Sequence, residues 1–294
     1  MEKSIGIVIV NYNGEKYQND CIDSILKSKY DNYKIIIVDN KSTDNSMKML
    51  DSYKTDKIIK IYNNDNYGVA KGNNIGINKS IELGCEYTLL LNNDTILNDN
   101  VIPELIKNTI NYDVIVPKIY FWSTNKIWYG GGSFVRLKCI NKHLHFNQED
   151  NGIKYKKEYS YAPTCCMLIK NSIFKKIGFM DENYFIYFDD TDFCFRLKLA
   201  GIKIGFINNA FIYHKVSLST GGSKSKISVY YENRNRFYFR KKFNKYFGIF
   251  SFLYIWSTRK IKYCLGTMKK NNSIIIKKAM KDFKNKKMGR SDDL

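Results

Sequence analysis

The sequence predicts an α/β protein, a mostly parallel sheet with helices on both faces. Two observations predict it. Apolar, β-branched runs alternate with helix-spaced stretches through residues 4–116, and each apolar run stops at a polar cluster rich in Asn or Asp. Length agrees: 294 residues are enough for one large domain or two modest ones with a sizeable core.

Residues 4–10 (SIGIVIV) are nearly continuous in apolar character, the pattern of a strand buried on both faces of a parallel sheet. The run breaks at Asn11-Tyr12-Asn13-Gly14, a turn-forming cluster. Residues 15–28 show helical spacing through Tyr17, Cys21, Ile25 and Leu26. A second strand is predicted at 34–38, ending at Asp39-Asn40. Ser42-Thr43-Asp44 then offers N-caps for a helix near 44–53. A third strand is expected at 57–62 and a helix at 71–83, entered through a loop holding Gly68 and Gly72. The fourth strand, 86–91, runs into Asn92-Asn93-Asp94. A helix near 99–110 and a strand at 112–116 complete the pattern.

In such sheets ligands bind at the carboxyl ends of the strands. Asn11 to Asn13, Asp39-Asn40, Asn66 to Gly68 and Asn92 to Asp94 all fall at such ends, so one binding crevice is expected. From 118 to 160 the pattern weakens. Gly130-Gly131-Gly132 reads as a turn, and the stretch with His143, His145, Gln148, Glu149 and Asp150 as an excursion without an assigned role. Order returns at 161–200: a strand-like segment ending Cys166-Met167-Leu168-Ile169, a helix near 171–176, then the acidic cluster Asp189-Asp190-Thr191-Asp192. A helix from Phe193 to Ala200 is stopped by Gly201.

Three clusters carry chemistry. Asp94, after a fully apolar strand, suits a hard divalent cation that keeps waters and shares phosphate oxygens; an Asx turn leaving the strand is the alternative. Asp189, Asp190 and Asp192 lie among aromatic residues. Crowding and partial burial raise a carboxyl's pKa and suit it to general-base work, while helix capping and dipole stabilisation would use the same residues. His214, in FIYHK beside the Ser217–Gly222 loop, is either a structural histidine or one that reaches a metal or phosphate.

Lys+Arg total 48 against Asp+Glu 28, a net +20. Residues 215–294 hold 21 basic and 4 acidic residues, so +17 belongs to the C-terminal segment and +3 to the rest. Such asymmetry marks a surface for something anionic, or a solvated lysine-rich tail. No run of eighteen apolar residues is found, so no conventional transmembrane helix is expected. The N-terminus enters a core strand without a cleavable apolar region, an expectation against secretion. Seven Cys without a paired spacing read as reduced thiols.

IVIVNYNG, IIIVDNKSTDNS, NYGVAKGNNIGI, LLLNNDTIL and YFDDTDFCFRLKLAGIKI stand in the order and spacing of family 2 glycosyltransferases. The later HKVSLSTGG and YYENRNRFYF resemble the rhamnosyltransferase-like branch, and the resemblance covers roughly residues 4–240. It implies a GT-A (Rossmann-like) fold, a nucleotide-sugar donor (dTDP- or UDP-sugar), Mg²⁺ or Mn²⁺, and inversion by single displacement. By resemblance, Asp39 meets the donor base, and Val10, Asn11, Tyr12 and Asn13 line the base and ribose pocket. Gly68, Lys71 and Asn73 approach the nucleotide, as does Asn93 beside the metal. Asp94 and His214 match metal ligands, and Asp190 matches the catalytic base. Two departures from the family pattern stand out: Asp189 replaces a Glu, and Asn92 an acidic residue.

The expected organisation is a GT-A catalytic domain over 1–220, with a nucleotide-sugar half to about 117 and an acceptor half over about 118–220. A basic, aromatic-rich helical segment follows over 221–294. Phe247–Trp256 is too short to span a bilayer but is flanked by Arg240, Lys241, Lys242 and Lys245 before it and Arg259, Lys260 and Lys262 after it. That suits an anionic membrane surface; packing on the catalytic domain, or in a homodimer, is the alternative. The implied function is transfer to a glycan or polyprenyl-diphosphate-linked acceptor in cell-surface polysaccharide assembly, at the cytoplasmic face of the membrane, without nucleic acid as partner. The rival readings are a non-catalytic subunit, suggested by Asn92, and a basic nucleic-acid-binding protein.

Overall fold

The computed structural model describes residues 2–215, 225–264 and 270–291. The Ser217–Gly222 loop and the side chains of Arg259, Lys260 and Lys262 lie outside the described residues. In chain order the strands and helices are β1 (Ile5–Asn11), α1 (Gln18–Leu26), β2 (Tyr33–Asp39), α2 (Ser46–Met49), β3 (Ile58–Tyr62), α3 (Gly68–Glu82), β4 (Tyr87–Asn92), β5 (Thr95–Leu97) and α4 (Val101–Lys107). Then come β6 (Val114–Phe121), β7 (Ile127–Tyr129), β8 (Gly132–Val135), β9 (Ile140–His143), β10 (Glu158–Tyr159), β11 (Cys166–Lys170), α5 (Ser172–Ile177), α6 (Asp189–Leu199) and β12 (Ile204–His214). The chain ends in α7 (Lys226–Lys242), α8 (Asn244–Cys264) and α9 (Lys270–Lys284).

The main sheet runs β10-β12-β6-β11-β4-β1-β2-β3, with β5 added to β12 and β7 to β6. β1 pairs parallel with both β2 and β4, so Asn11 stands level with Asp39 and Val10 with Asn92. β11 lies antiparallel between β4 and β6, the one reversal within the central strands. Ile5, Ile7, Val8 and Ile9 are wholly buried, as are Ile35 to Val38, which explains their unbroken apolar sequence. α3 crosses β1 closely because Gly76 has no side chain there: a Cβ would stand 2.2 Å from Val8 Cγ1.

Several expected boundaries move for identifiable reasons. The helix expected near 44–53 is one turn of α2 and a 3-10 turn at Leu50–Ser52, because Ser42 and Ser46 are drawn into contact with Asn11. Gly68 is the first residue of α3, not part of a loop before it. Its φ of +78° and the 2.2 Å that would separate a Cβ from the Phe185 carbonyl oxygen leave room for glycine alone. The strand expected at 112–116 extends to Phe121, where β7 and β12 pair with it. The helix expected from Phe193 begins at Asp189, so the acidic cluster forms its first turn. The weakly patterned 118–160 region holds a separate β8-β9 hairpin and the short β10.

α7 and the start of α8 pack on α6, and α9 packs on α7. Phe195 stacks on Phe247 at 5.2 Å and meets Phe239 and Phe243 at 5.4 and 4.8 Å. Lys242 bridges Asp181 and Asp192, both at 2.6 Å. α8 breaks at Gly248, where φ is +66°. Beyond the break Ser251 and Ile255 face inward, while Ile249, Phe250, Leu253 and Trp256 are 59, 75, 49 and 47% exposed.

Gly76→Val is expected to destabilise the protein by about 1–3 kcal/mol through overpacking against Val8. A denaturant midpoint equal to or above the parent's would show that β1 and α3 tolerate a wider separation.

Candidate functional site

The site assembles where the central strands end. Asn11, the last residue of β1, is fully buried. Its Nδ2 faces Asp39 Oδ1 at 3.0 Å, Ser42 Oγ at 3.0 Å and Ser46 Oγ at 2.9 Å. Its Oδ1 accepts from Asn93 Nδ2 at 2.9 Å. One amide therefore ties together the loops that follow β1, β2 and β4. Asp39 Oδ1 also accepts from Ser42 Oγ (2.5 Å) and its Oδ2 from Ser42 N (3.0 Å), which leaves carboxylate lone-pair capacity on Oδ2 for a further donor.

Around this centre Tyr12 is exposed, and Asn13, at φ +53°, accepts from Thr43 N through Oδ1. Val10 lies against Gly72, whose Cβ would stand 2.8 Å from Val10 Cγ1. Gly68 O accepts from Asn40 Nδ2 at 3.0 Å, and Lys71 Nζ rests 3.9 Å from the Tyr67 ring centroid. Asn73 turns away from the crevice: it is buried, and its Nδ2 contacts Met180 Sδ at 3.5 Å. The adjacent Asn74 exchanges hydrogen bonds with the Met180 backbone at 2.9 and 3.0 Å. That face of α3 thus fixes the approach to α6.

Asp94 and His214 meet because β5, which follows Asp94, pairs antiparallel with β12 and places Thr95 opposite His214. Lys215 N donates to Asp94 O at 2.9 Å and closes the corner. His214 Nε2 lies 3.1 Å from Asp94 Oδ1, each side chain 8% exposed. Asp94 Oδ1 and His214 Nδ1 are nonetheless buried without a hydrogen-bond partner. Among the described residues no cluster of three or more His, Cys, Asp or Glu gathers. An unpartnered carboxylate oxygen facing His214 Nε2 fits a divalent cation that takes its other ligands from water and a diphosphate.

Asp190 sits in the first turn of α6. Tyr161 O–H donates to Oδ2 at 2.6 Å; Thr191 N and Thr191 Oγ1 donate to Oδ1 at 2.5 and 3.0 Å. Asn141 Nδ2, from the hairpin, donates to Thr191 Oγ1 at 2.6 Å. Burial pushes the Asp190 carboxyl above the usual carboxylate range, against the pull of these donors. Burial, and then the Asp190 charge, push the Tyr161 phenol well up, so it stays a donor. Cys165 joins the two halves of the site. Its carbonyl accepts from Asn92 N at 3.0 Å, and its thiol lies within the fields of both Asp94 and Asp190.

The other two carboxylates of the cluster differ. Asp192 is fully buried and bound by Arg196 Nε at 2.7 Å and by Lys242, an architectural pairing. Asp189 is buried, and burial followed by the Asp190 charge pushes it up to about 8. Neither Asp189 nor Asp190 caps α6: the N-cap residue is Phe188, and it makes no side-chain cap bond.

Sequence spacing did not find Tyr161 or Asn141, nor the surroundings of His214, and it placed Thr191 in the acidic cluster without a role. Trp128 packs edge-on between His214 and His143, at 4.5 and 4.7 Å. His143 is held down to about 4 by burial, so its ring is neutral beside the crevice. His145 stays in its own loop with Gln148.

A family model described as "Glycosyl transferase family 2" matches residues 6–178. The low-salt glycan biosynthesis hexosyltransferase Agl10 of Haloferax volcanii is 30% identical over 243 residues, 81% of this chain and 75% of the relative. The dTDP-rhamnosyl transferase RfbF of Shigella flexneri is 25% identical over 249 residues, 82% of this chain and 81% of the relative. S. aureus TarS 1-349 in complex with UDP-GlcNAc superposes with a TM-score of 0.62 at 13% identity, over 95% of this chain and 80% of that one. At that identity the likeness establishes the GT-A fold alone.

The folded Asp189 carboxyl holds its proton to about pH 8, against 3.8 as its ordinary value. Its contribution to stability is therefore fully present below the ordinary value and is lost as pH rises toward the folded one. Asp189→Asn is expected to gain stability relative to the parent between about pH 5 and pH 8. Parallel thermal unfolding curves at both pH values would contradict the assignment.

Proposed function

The chain belongs to glycosyl transferase family 2, and from that premise we propose an inverting, cation-assisted transfer of a sugar from a nucleoside-diphosphate donor to a glycan acceptor. The observation that carries this reading is Asp190: a carboxylate raised by burial, oriented by three donors, with lone-pair capacity left on Oδ2. That oxygen takes the proton of the acceptor hydroxyl. The acceptor oxygen forms its bond to the anomeric carbon as the bond from that carbon to the diphosphate breaks. The electron pair leaves with the nucleoside diphosphate, and attack from the opposite side inverts the configuration.

Val10, Asn11, Tyr12, Asn13 and Asp39 form the wall for the base and ribose, with Gly68, Lys71 and Asn93 at its edge. Asn73 contributes by fixing α3 to the Met180 loop. Asp94 and His214 would hold Mg²⁺ or Mn²⁺, which when bound neutralises charge on the departing diphosphate. Asn92, in place of an acidic residue, leaves that pair as the protein's ligands. The likeness to the rhamnosyl- and hexosyltransferases favours a deoxyhexose or hexose on dTDP or UDP, and a role in cell-surface polysaccharide assembly.

The acceptor side faces a membrane in this reading. Among the described residues no helix is long and apolar enough to cross one. Ile249, Phe250, Leu253 and Trp256 nevertheless present apolar surface on one side of α8, beside Lys241 and Lys245 of the basic segment. That combination suits the headgroup layer of an anionic leaflet and supports a lipid-linked acceptor at the inner face of the cell membrane.

Asp190→Asn is expected to lower the transfer rate by about 10²–10⁴-fold, with donor affinity by calorimetry retained. Parent-like turnover would remove Asp190 as the base. Replacing Ile249, Phe250 and Leu253 together by Ser is expected to abolish sedimentation with phosphatidylglycerol vesicles. Undiminished sedimentation, or conversion of a dimer to a monomer on gel filtration, would assign this face elsewhere.

A further inference from the structure

The transfer step uses nothing from the YYENRN stretch of α7, yet Arg234 and Asn235 are two of the most deeply buried polar side chains in the protein, 1 and 0% exposed. Asn235 Nδ2 donates to the carbonyls of Ile186 and Tyr187, each at 2.9 Å, so both amide hydrogens are engaged. Its Oδ1 accepts from Arg234 Nε at 3.2 Å, and Arg234 Nη2 is anchored on Gly289 O at 2.7 Å.

The segment held this way has an uncommon backbone. Tyr187 and Phe188 stand at φ +64° and +70°, consecutive left-handed positions occupied by bulky residues. Such a conformation persists only where the surroundings over-determine it. Phe188 is the N-cap residue of α6, two positions before Asp190. At its other end, the Phe185 carbonyl accepts from Val69 N at 2.7 Å, and the Phe185 ring stacks on Tyr231 at 5.3 Å. Residues 185–188 thus join the Gly68 edge of the crevice to the helix that carries Asp190, with α7 as their backing.

Resting on Asp190 as the base, we propose that Asn235 is a positioning residue for the transfer. Its amide locks the Ile186–Phe188 turn and so aims the first turn of α6 at the crevice. A residue that only anchors α7 would lower stability and leave turnover of the folded enzyme unchanged. A positioning residue lowers kcat while the nucleotide site stays intact, because small displacements of a catalytic group are magnified in rate.

The test uses full-length Asn235→Ala and the isosteric Asn235→Asp, which sets a carboxylate against the two carbonyls. Turnover is followed as nucleoside diphosphate released from dTDP-rhamnose, UDP-glucose or UDP-N-acetylglucosamine, whichever the parent consumes. Both variants are expected to lose kcat by at least about tenfold with dTDP or UDP affinity held within about twofold. Amide hydrogen exchange should accelerate over 186–192 and not in β1 or β4. Tyr187→Gly in the Asn235→Ala background is expected to restore part of kcat, since glycine adopts positive φ without strain. Unchanged kcat in either folded variant, unchanged exchange over 186–192, or failure of both variants to fold would overturn the proposal and leave Asn235 as scaffold. Parent-like transfer by Asp190→Asn would instead sink the base assignment beneath it, whatever Asn235→Ala does.

Discussion

The side-chain amide of Asn11 is the contact on which the rest of the site depends. It lies at the carboxyl end of the central strand and touches Asp39, Ser42, Ser46 and Asn93, side chains brought by the segments that follow β2 and β4. The amide is fully buried, where an unmatched polar group is costly and a matched network is stiff. The requirement to satisfy it fixes the short α2, the turn at Asn13 and the position of Asp39 together. A parallel sheet delivers polar loops to one edge, and here Asn11 makes them a single surface.

Around that surface the acidic residues divide the work by environment. Asp39 is buried and already satisfied in part by Asn11 and Ser42, which suits recognition of a polar base edge. Asp94 faces His214 with its Oδ1 lacking a hydrogen-bond partner, which suits a cation. Asp190 is raised by burial yet oriented by Tyr161 and Thr191, which suits proton transfer. Asp192, tied to Arg196 and Lys242, links α6 to α7. The basic C-terminal segment therefore does more than carry charge: it buttresses the helix that bears Asp190 through Phe239, Phe243 and Phe247 against Phe195.

The sequence disclosed what is local or periodic. β1, β2 and β4 were legible because strands buried on both faces are unbroken apolar runs, and Asn11, Asp39 and Asp94 because they stand where those runs stop. The start of α3 was misplaced because Gly68 adopts its conformation in answer to Phe185, more than a hundred residues away. Tyr161 bonds Asp190 across 29 residues, and Asn141 of the hairpin bonds the neighbouring Thr191; no spacing in the chain signals that these distant segments meet there. The aromatic, basic character of α8 was plain, but the inward side through Ser251 and Ile255 and the outward side through Phe250 and Trp256 are settled only by contact with α6 and α7.

The most direct test of the account is anomalous diffraction from crystals grown with Mn²⁺ and dTDP or UDP. One peak is predicted within ligand distance of both Asp94 and His214, with the diphosphate beside it and the base against Asp39. A bound nucleotide whose Mn²⁺ peak lies away from both residues, or a base seated far from Asp39, would contradict it.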